Sequence, residues 1–150
     1  MRPDPIAIAP AEAADEDVLC ALLAAQFAEH AIALDAQAIR RGVRGILSDA
    51  SRGAILLARG ERPLGLACLA FTWTLEHGGK SAWLDELYVV PEARSRGVGA
   101  RLLRAAMAHA KARGCAAIDL EVDEDHARAE RLYAREGFTA HRRARWVAPL

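Results

Sequence analysis

Residues 81–101 read SAWLDELYVVPEARSRGVGAR and contain the pattern of a strand, a loop and the start of a helix. The first ten residues are rich in apolar and β-branched types, which predicts a strand, and Pro91 ends it. Gly97 and Gly99 lie in the loop where an amphipathic pattern begins. Apolar side chains then recur at helical spacing, so we expect a helix over residues 98–113.

Two further strand patterns precede this unit. Residues 53–59 (GAILLAR) and 64–74 (LGLACLAFTWT) are apolar, and short turns rich in glycine and charge separate the three strands. Turns this short cannot make the crossover that parallel strands need, so the three strands are predicted to form an antiparallel meander.

The remaining elements extend this meander on both sides. Upstream, Ile6 and Ile8 alternate with small residues in a short strand closed by Pro10, and helices are predicted over about 13–28 and 35–49, with Asp35 as N-cap. Downstream we expect a strand over 116–122, a helix over about 126–136 and a closing strand or hairpin from Phe138 onward. The order β-α-α-β-β-β-α-β-α-β predicts one α/β domain over residues 1–150. Its mixed, mostly antiparallel sheet has one parallel crossover and about four flanking helices.

Composition limits the function classes. Twenty basic and twenty acidic side chains give a net charge of zero, which argues against nucleic acid or an anionic membrane as the partner. The three cysteines form no CxxC or CxxH pair, so we expect neither disulfides nor a metal. No apolar run reaches the roughly 18 residues of a membrane span, and the first residues lack the apolar core of a signal peptide. We therefore expect a cytoplasmic protein.

The loop over residues 91–101 has the features of an anion site. Glycines at 97 and 99 allow backbone N–H groups to approach an anion at a helix N-terminus, and Arg94 and Arg96 add positive charge. It is not a P-loop, because no Gly-Lys-Ser/Thr follows. The dinucleotide fingerprint also fails, because Leu102 occupies the position of its third glycine. A nicotinamide oxidoreductase is thus a distant alternative.

Two motifs resemble the GNAT acetyltransferase superfamily. Residues 94–99 (RSRGVG) match its Q/R-x-x-G-x-G/A signature after a strand, and residues 129–138 (AERLYAREGF) are similar to its A-x-x-L-Y-x-x-x-G-F element. The predicted order of elements is also that of the family. The resemblance implies acetyl-CoA as co-substrate, without a metal, and a primary amine as acceptor.

The resemblance also implies roles for single residues. The backbone of Leu87, Tyr88 and Val89 pairs with the pantetheine arm, and Tyr133 protonates the leaving thiolate. The pyrophosphate is held by the loop and helix start, namely Ser95, Arg96, Gly97, Val98, Gly99 and Ala100, with Arg94 on the approach. His126 stands where many members have an asparagine that contacts pantetheine.

An ammonium group must lose a proton before its nitrogen can attack, so a general base is needed. Two carboxylates are candidates. Glu86 lies on the strand beside the expected thioester and matches an acidic position common in the family. Glu121 matches a glutamate used by ribosomal-protein N-terminal acetyltransferases of the superfamily.

The acceptor is less defined. Aromatic residues such as Phe71, Trp73 and Trp83 are candidate pocket residues, and the acidic residues Glu29, Asp35, Glu76, Asp85 and Glu86 favour a small cationic amine. A peptide or protein amine stays open, as does a non-catalytic domain that senses acetyl-CoA. A homodimer is possible by analogy with the fold.

Overall fold

Five strands form one sheet whose spatial order is the order of the chain. The computed structural model describes residues 5–123 and 125–150. Within them the strands are β1 (Ala7–Pro10), β2 (Gly53–Arg59), β3 (Pro63–Thr74), β4 (Gly79–Val89) and β5 (Ile118–Asp119). The α-helices are α1 (Glu16–Glu29), α2 (Ala36–Leu47), α3 (Val98–Ala112) and α4 (Ala127–Arg135).

The sheet is mixed, as the sequence predicts. Strands β1 to β4 pair antiparallel, and β5 pairs parallel to β4 after the crossover through α3. Asp35 is the N-cap of α2, because its Oδ1 accepts a hydrogen bond of 2.7 Å from the backbone N–H of Ala38.

The alternation of side chains along each strand divides the core into two layers. In β2, Ile55 and Leu57 pack against the helices α1 and α2, whereas Leu56 and Ala58 pack on the α3 side. The sheet is therefore covered on both faces. Its β4 strand lies between the two layers, with Tyr88 on the α1 side and Leu87 and Val89 on the α3 side.

The chain after β4 departs from the predicted pattern. The strand predicted over 116–122 is reduced to two residues, and residues 138–150 contain no strand, so the predicted closing strand is wrong. A closing strand does not form because β5, with two residues, is too short to pair with a sixth strand. The apolar side chains of this segment are not buried, since Trp146 is 93% exposed. Ion pairs hold this segment instead, from Arg143 to Glu76 and from Arg145 to Glu121.

The pairing of β3 with β4 gives a stability prediction. Gly65 lies opposite Val89, and a Cβ added to it would come 2.3 Å from the carbonyl oxygen of Tyr88. We expect Gly65→Ala to lower the free energy of unfolding by about 1–3 kcal/mol, the usual cost of overpacking. Denaturant unfolding measures it.

Gly42 provides the matched control. It lies inside α2 with no atom within 4 Å of an added Cβ, so Gly42→Ala should raise stability by about 1 kcal/mol. Equal effects of the two substitutions would contradict this description of the β3–β4 contact.

Candidate active site

Strand β4 has an open edge over its second half. Strand β5 pairs with it only at Ala82 and Trp83. Beyond them, Leu69 and Cys68 of β3 pair with Leu84 and Glu86, so that Asp85 is an extra residue opposite no partner. Such a bulge bends its strand. We attribute the separation of β4 from β5 to this bend.

The hydrogen-bonding groups on that edge can be identified from the ladder. The N–H of Val90 donates to the carbonyl of Leu64, so Val90 points toward β3. Because bonded and non-bonded pairs alternate in an antiparallel ladder, the N–H and C=O groups of Leu87 and Val89 point the other way. Two donors and two acceptors therefore face the open edge. The carbonyl of Val89 already accepts from Arg94 and that of Leu87 accepts from Gln26, so the two N–H groups are the ones that an extended chain with amide groups can pair with directly.

The loop between β4 and α3 forms an anion cradle at the end of this edge. Ser95 and Gly97 both have left-handed backbone conformations, with φ of 65° and 78°. Among the described residues, no acceptor bonds to the backbone N–H groups of residues 95–100. This turn, joined to the N-terminus of a 15-residue helix, concentrates N–H donors where an anion is favoured.

Two arginines near the cradle, Arg94 and Arg128, make different contacts. Arg94 donates two hydrogen bonds of 2.8 and 2.9 Å to the carboxylate of Glu29 and one of 2.9 Å to the carbonyl of Val89. The Arg94 side chain therefore links the end of α1 to the end of β4. Arg128, in the first turn of α4, donates to Oγ of Ser95 at 2.7 Å. Arg128 is not among the site residues predicted from the sequence. The sequence shows it only as a basic residue two positions after His126.

Glu86 and Tyr133 approach the open edge from different layers. Glu86 alternates with Tyr88 on the α1 side, and Tyr133 packs in the α3-side cluster with its ring 5.7 Å from that of Phe138. Burial raises the pKa of the Glu86 carboxyl to about 7, and the charge of Asp85 adds to the rise. Burial also raises the pKa of the Tyr133 phenol, with a further contribution from Glu86. The carboxyl of Glu86 thus ionises near neutral pH, and the phenol of Tyr133, which the charge of Glu86 influences, stays protonated.

Glu121 and His126 have other surroundings. Glu121 follows β5, is 46% exposed at its side chain and accepts a hydrogen bond of 3.1 Å from Arg145. His126 is the N-cap of α4, and its ring lies 5.4 Å from that of His30, at the end of α1. The two histidines therefore connect α1 with α4.

The residues expected near the acceptor are only partly brought together. Glu29 and Glu76 are neutralised by arginines and Asp35 caps α2, which leaves Asp85 and Glu86 as the acidic pair on β4. Phe71 stacks on His109, and Trp73 is 77% exposed. Within residues 5–123 and 125–150, no three His, Cys, Asp or Glu side chains are grouped to hold a metal ion. No helix in the described part of the chain is long and apolar enough to cross a membrane.

Comparison with known families identifies this arrangement. Residues 17–138 match the model of the Acetyltransferase (GNAT) family. The chain is 40% identical over 88 residues to a mycothiol acetyltransferase of Stackebrandtia nassauensis, a match that covers 57% of this chain and 28% of that protein. The chain thus spans less than a third of the length of this relative.

Two other similarities cover more of the partner protein. An aminoalkylphosphonate N-acetyltransferase of Salmonella typhimurium is 30% identical over 105 residues, which are 70% of this chain and 68% of that protein. The solved structure of the aminoglycoside N-acetyltransferase AAC(6')-Iy in complex with CoA has a TM-score of 0.85. It covers 99% of this chain and 97% of its own, at 16% identity. That structure bears on the fold alone.

Proposed function

The chain belongs to the GNAT acetyltransferase family, and on that premise we propose that it transfers the acetyl group of acetyl-CoA to a primary amine. The observation that carries the proposal is the open edge of β4, which begins beside Glu86 and ends at an anion cradle. An edge strand that continues into a phosphate-binding helix start fits a donor made of a diamide arm attached to a pyrophosphate.

The residues present fit this donor. Leu87 and Val89 hold the amides of the arm through their backbone groups, and residues 95–100 hold the pyrophosphate through their N–H groups. Arg128 adds a positive charge beside Ser95. Bound acetyl-CoA would supply the reactive thioester.

We assign the proton transfers to Glu86 and Tyr133. Glu86 takes a proton from the ammonium group of the acceptor, which frees the nitrogen lone pair for attack on the thioester carbonyl. As the new C–N bond forms and the C–S bond breaks, Tyr133 gives its phenolic proton to the sulfur. The second proton shed by the new amide nitrogen restores the Tyr133 phenol, and Glu86 releases its proton to solvent.

Glu86 is the better supported of the two candidate bases. Its carboxyl is half-buried and has a pKa of about 7, so it is ionised in a large fraction of molecules at neutral pH yet basic enough to accept a proton. Glu121 is held by Arg145. His126, at the start of α4, is proposed to lie along the arm of the donor.

For the acceptor we propose a small amine that is cationic before it reacts. Asp85 and Glu86 are consecutive residues of β4, and their carboxylates favour an ammonium group next to them. One relative is named as an aminoalkylphosphonate N-acetyltransferase, so the screen must contain that chemical class beside other amines. A panel of polyamines, aminoglycosides, aminoalkylphosphonates, amino acids and peptides, followed by thiol release, tests this proposal. Absence of turnover across it would favour a domain that only senses acetyl-CoA.

Arg128 gives a prediction for donor binding. In Arg128→Gln we expect the dissociation constant of acetyl-CoA to rise about tenfold, since one charge-assisted hydrogen bond to phosphate is lost at an exposed site. Isothermal calorimetry measures it. Arg41→Gln is the control, because it removes the same charge from an exposed position on α2, across the sheet. An equal rise of the dissociation constant in both variants would show that the effect comes from the net charge and not from a contact of Arg128.

The choice of base gives a second prediction. The acidic limb of kcat/KM should have its midpoint near pH 7, because Glu86 must be ionised to act and its pKa is about 7. Glu86→Gln should abolish this limb and lower kcat/KM by about 10²–10⁴-fold. Glu121→Gln is the matched variant and should keep both the limb and most of the activity. If Glu121→Gln loses the acidic limb and Glu86→Gln keeps it, Glu121 and not Glu86 is the general base.

A further inference from the structure

The Arg94 side chain lies at the end of the open edge, between a helix and a strand. Its Nη2 donates to both carboxylate oxygens of Glu29, at 2.9 and 2.8 Å, and its Nε donates to the carbonyl of Val89 at 2.9 Å. The guanidinium carbon lies 5.7 Å from the centre of the Tyr88 ring. Because a guanidinium is planar, the contact of Nη2 with the carboxylate also fixes the direction in which Nε points. Glu29, the last residue of α1, thereby holds Arg94 on the end of β4.

The peptide unit between Val89 and Val90 is held from both sides. Its N–H, on Val90, donates to the carbonyl of Leu64 on β3 at 2.9 Å, and its carbonyl, on Val89, accepts from Arg94. A planar peptide unit bonded at both ends cannot rotate without breaking one of the two hydrogen bonds. The direction in which the chain leaves β4 is therefore fixed at this unit.

The same side chain connects the end of the strand to the anion cradle. Arg94 directly precedes Ser95, the first residue of the cradle, whose φ is 65°. The backbone N–H of Arg94 donates to the carbonyl of Pro91 at 3.3 Å, and Ala93 between them is fully buried. The turn from Val89 to Arg94 is thus closed, because the side chain of its last residue returns to the carbonyl of its first. This turn sets the spacing between the open edge and the cradle.

A ligand that fills both places depends on this spacing. In the proposed function, the arm of acetyl-CoA lies along the open edge and its pyrophosphate lies in the cradle. Two parts of one molecule gain affinity from being linked only when their sites stand at the distance that the molecule spans. An Arg94 side chain free to leave Val89 would let the two sites move relative to each other, and this gain would fall.

We propose that Glu29 is a positioning residue for the donor: by holding Arg94 on the Val89 carbonyl, it fixes the spacing between the open edge of β4 and the anion cradle. This inference rests on the proposed function. It also gives Arg94 a role other than binding phosphate, since its guanidinium binds protein groups at the ends of α1 and β4. Arg128, which contacts Ser95, is the side chain that adds positive charge to the cradle.

The test compares the binding of three ligands to the wild-type protein and to Glu29→Gln. Acetyl-CoA fills both places, S-acetylpantetheine fills only the edge, and ADP fills only the cradle. In Glu29→Gln we expect the dissociation constant of acetyl-CoA to rise about fivefold, the order expected for one well-aligned exposed ion pair. The dissociation constants of the two fragments should be nearly unchanged. Calorimetry measures acetyl-CoA, and NMR shift titration measures the fragments.

Glu92→Gln is the matched control. Glu92 is an exposed carboxylate on the same turn, 3.9 Å from Arg62, so its substitution removes the same charge and leaves Arg94 in place. The dissociation constant of acetyl-CoA should not rise in this variant. An equal rise in both variants would overturn the role of Glu29, because the effect would then come from charge alone.

The direction of the change separates two roles of Arg94. If Glu29 only withholds Arg94 from the phosphates, Glu29→Gln releases a positive charge, and acetyl-CoA and ADP should both bind more tightly. Tighter or unchanged binding of acetyl-CoA therefore overturns the proposal. A loss for ADP as large as that for acetyl-CoA also overturns it, because the cradle itself and not the spacing would then have changed.

A second variant keeps the charge and removes the planar group. Arg94→Lys cannot reach both Glu29 and Val89 through one rigid fork, so we expect the same loss of acetyl-CoA affinity as in Glu29→Gln. The double variant should bind no more weakly than either single one, because the two residues act as a unit. Additive losses would overturn the proposal. A wild-type protein that binds none of the three ligands would overturn the proposed function instead.

Discussion

One extra residue in β4, Asp85, determines the geometry on which the site depends. Because Leu69 and Cys68 of β3 pair with Leu84 and Glu86, the ladder skips Asp85. The bend that such a bulge introduces accounts for the end of pairing between β4 and β5 after two residues. An unbroken β4 could have continued to pair with β5, and the N–H groups of Leu87 and Val89 would then not be free. In the proposed mechanism this defect of the sheet becomes the place where the donor adds as a further strand.

The same bulge sets the electrostatics of the site. It places Glu86 on the α1 side, next to Asp85 in sequence, where burial and a like charge bring the pKa of Glu86 to about 7. In the other layer, burial and the charge of Glu86 raise the pKa of the Tyr133 phenol, so Tyr133 keeps its proton to a higher pH than usual. The chain has no net charge, but its charges are separated locally along the open edge. N–H groups and Arg128 gather at one end of the open edge, and carboxylates at the other.

Much of this fold could be predicted because local patterns agree with tertiary structure. Strand β2 has the bounds that its apolar run indicates, and α3 begins at Val98 after the glycine loop, as predicted. The bulge could not be predicted, because it is a property of pairing between strands; its trace is the Asp85–Glu86 pair inside an apolar strand. The segment from Phe138 onward was predicted to form a strand or hairpin, but β5 is only two residues long and offers no ladder to it.

The central claim is that the free edge of β4 binds the donor through its backbone, and amide hydrogen exchange followed by NMR tests it most directly. On addition of acetyl-CoA, the N–H groups of Leu87 and Val89 should exchange more slowly, because they gain acceptors. The N–H of Tyr88, which points toward β3 in the same ladder, should change little. Unchanged exchange at Leu87 and Val89 in a protein saturated with acetyl-CoA would contradict the account.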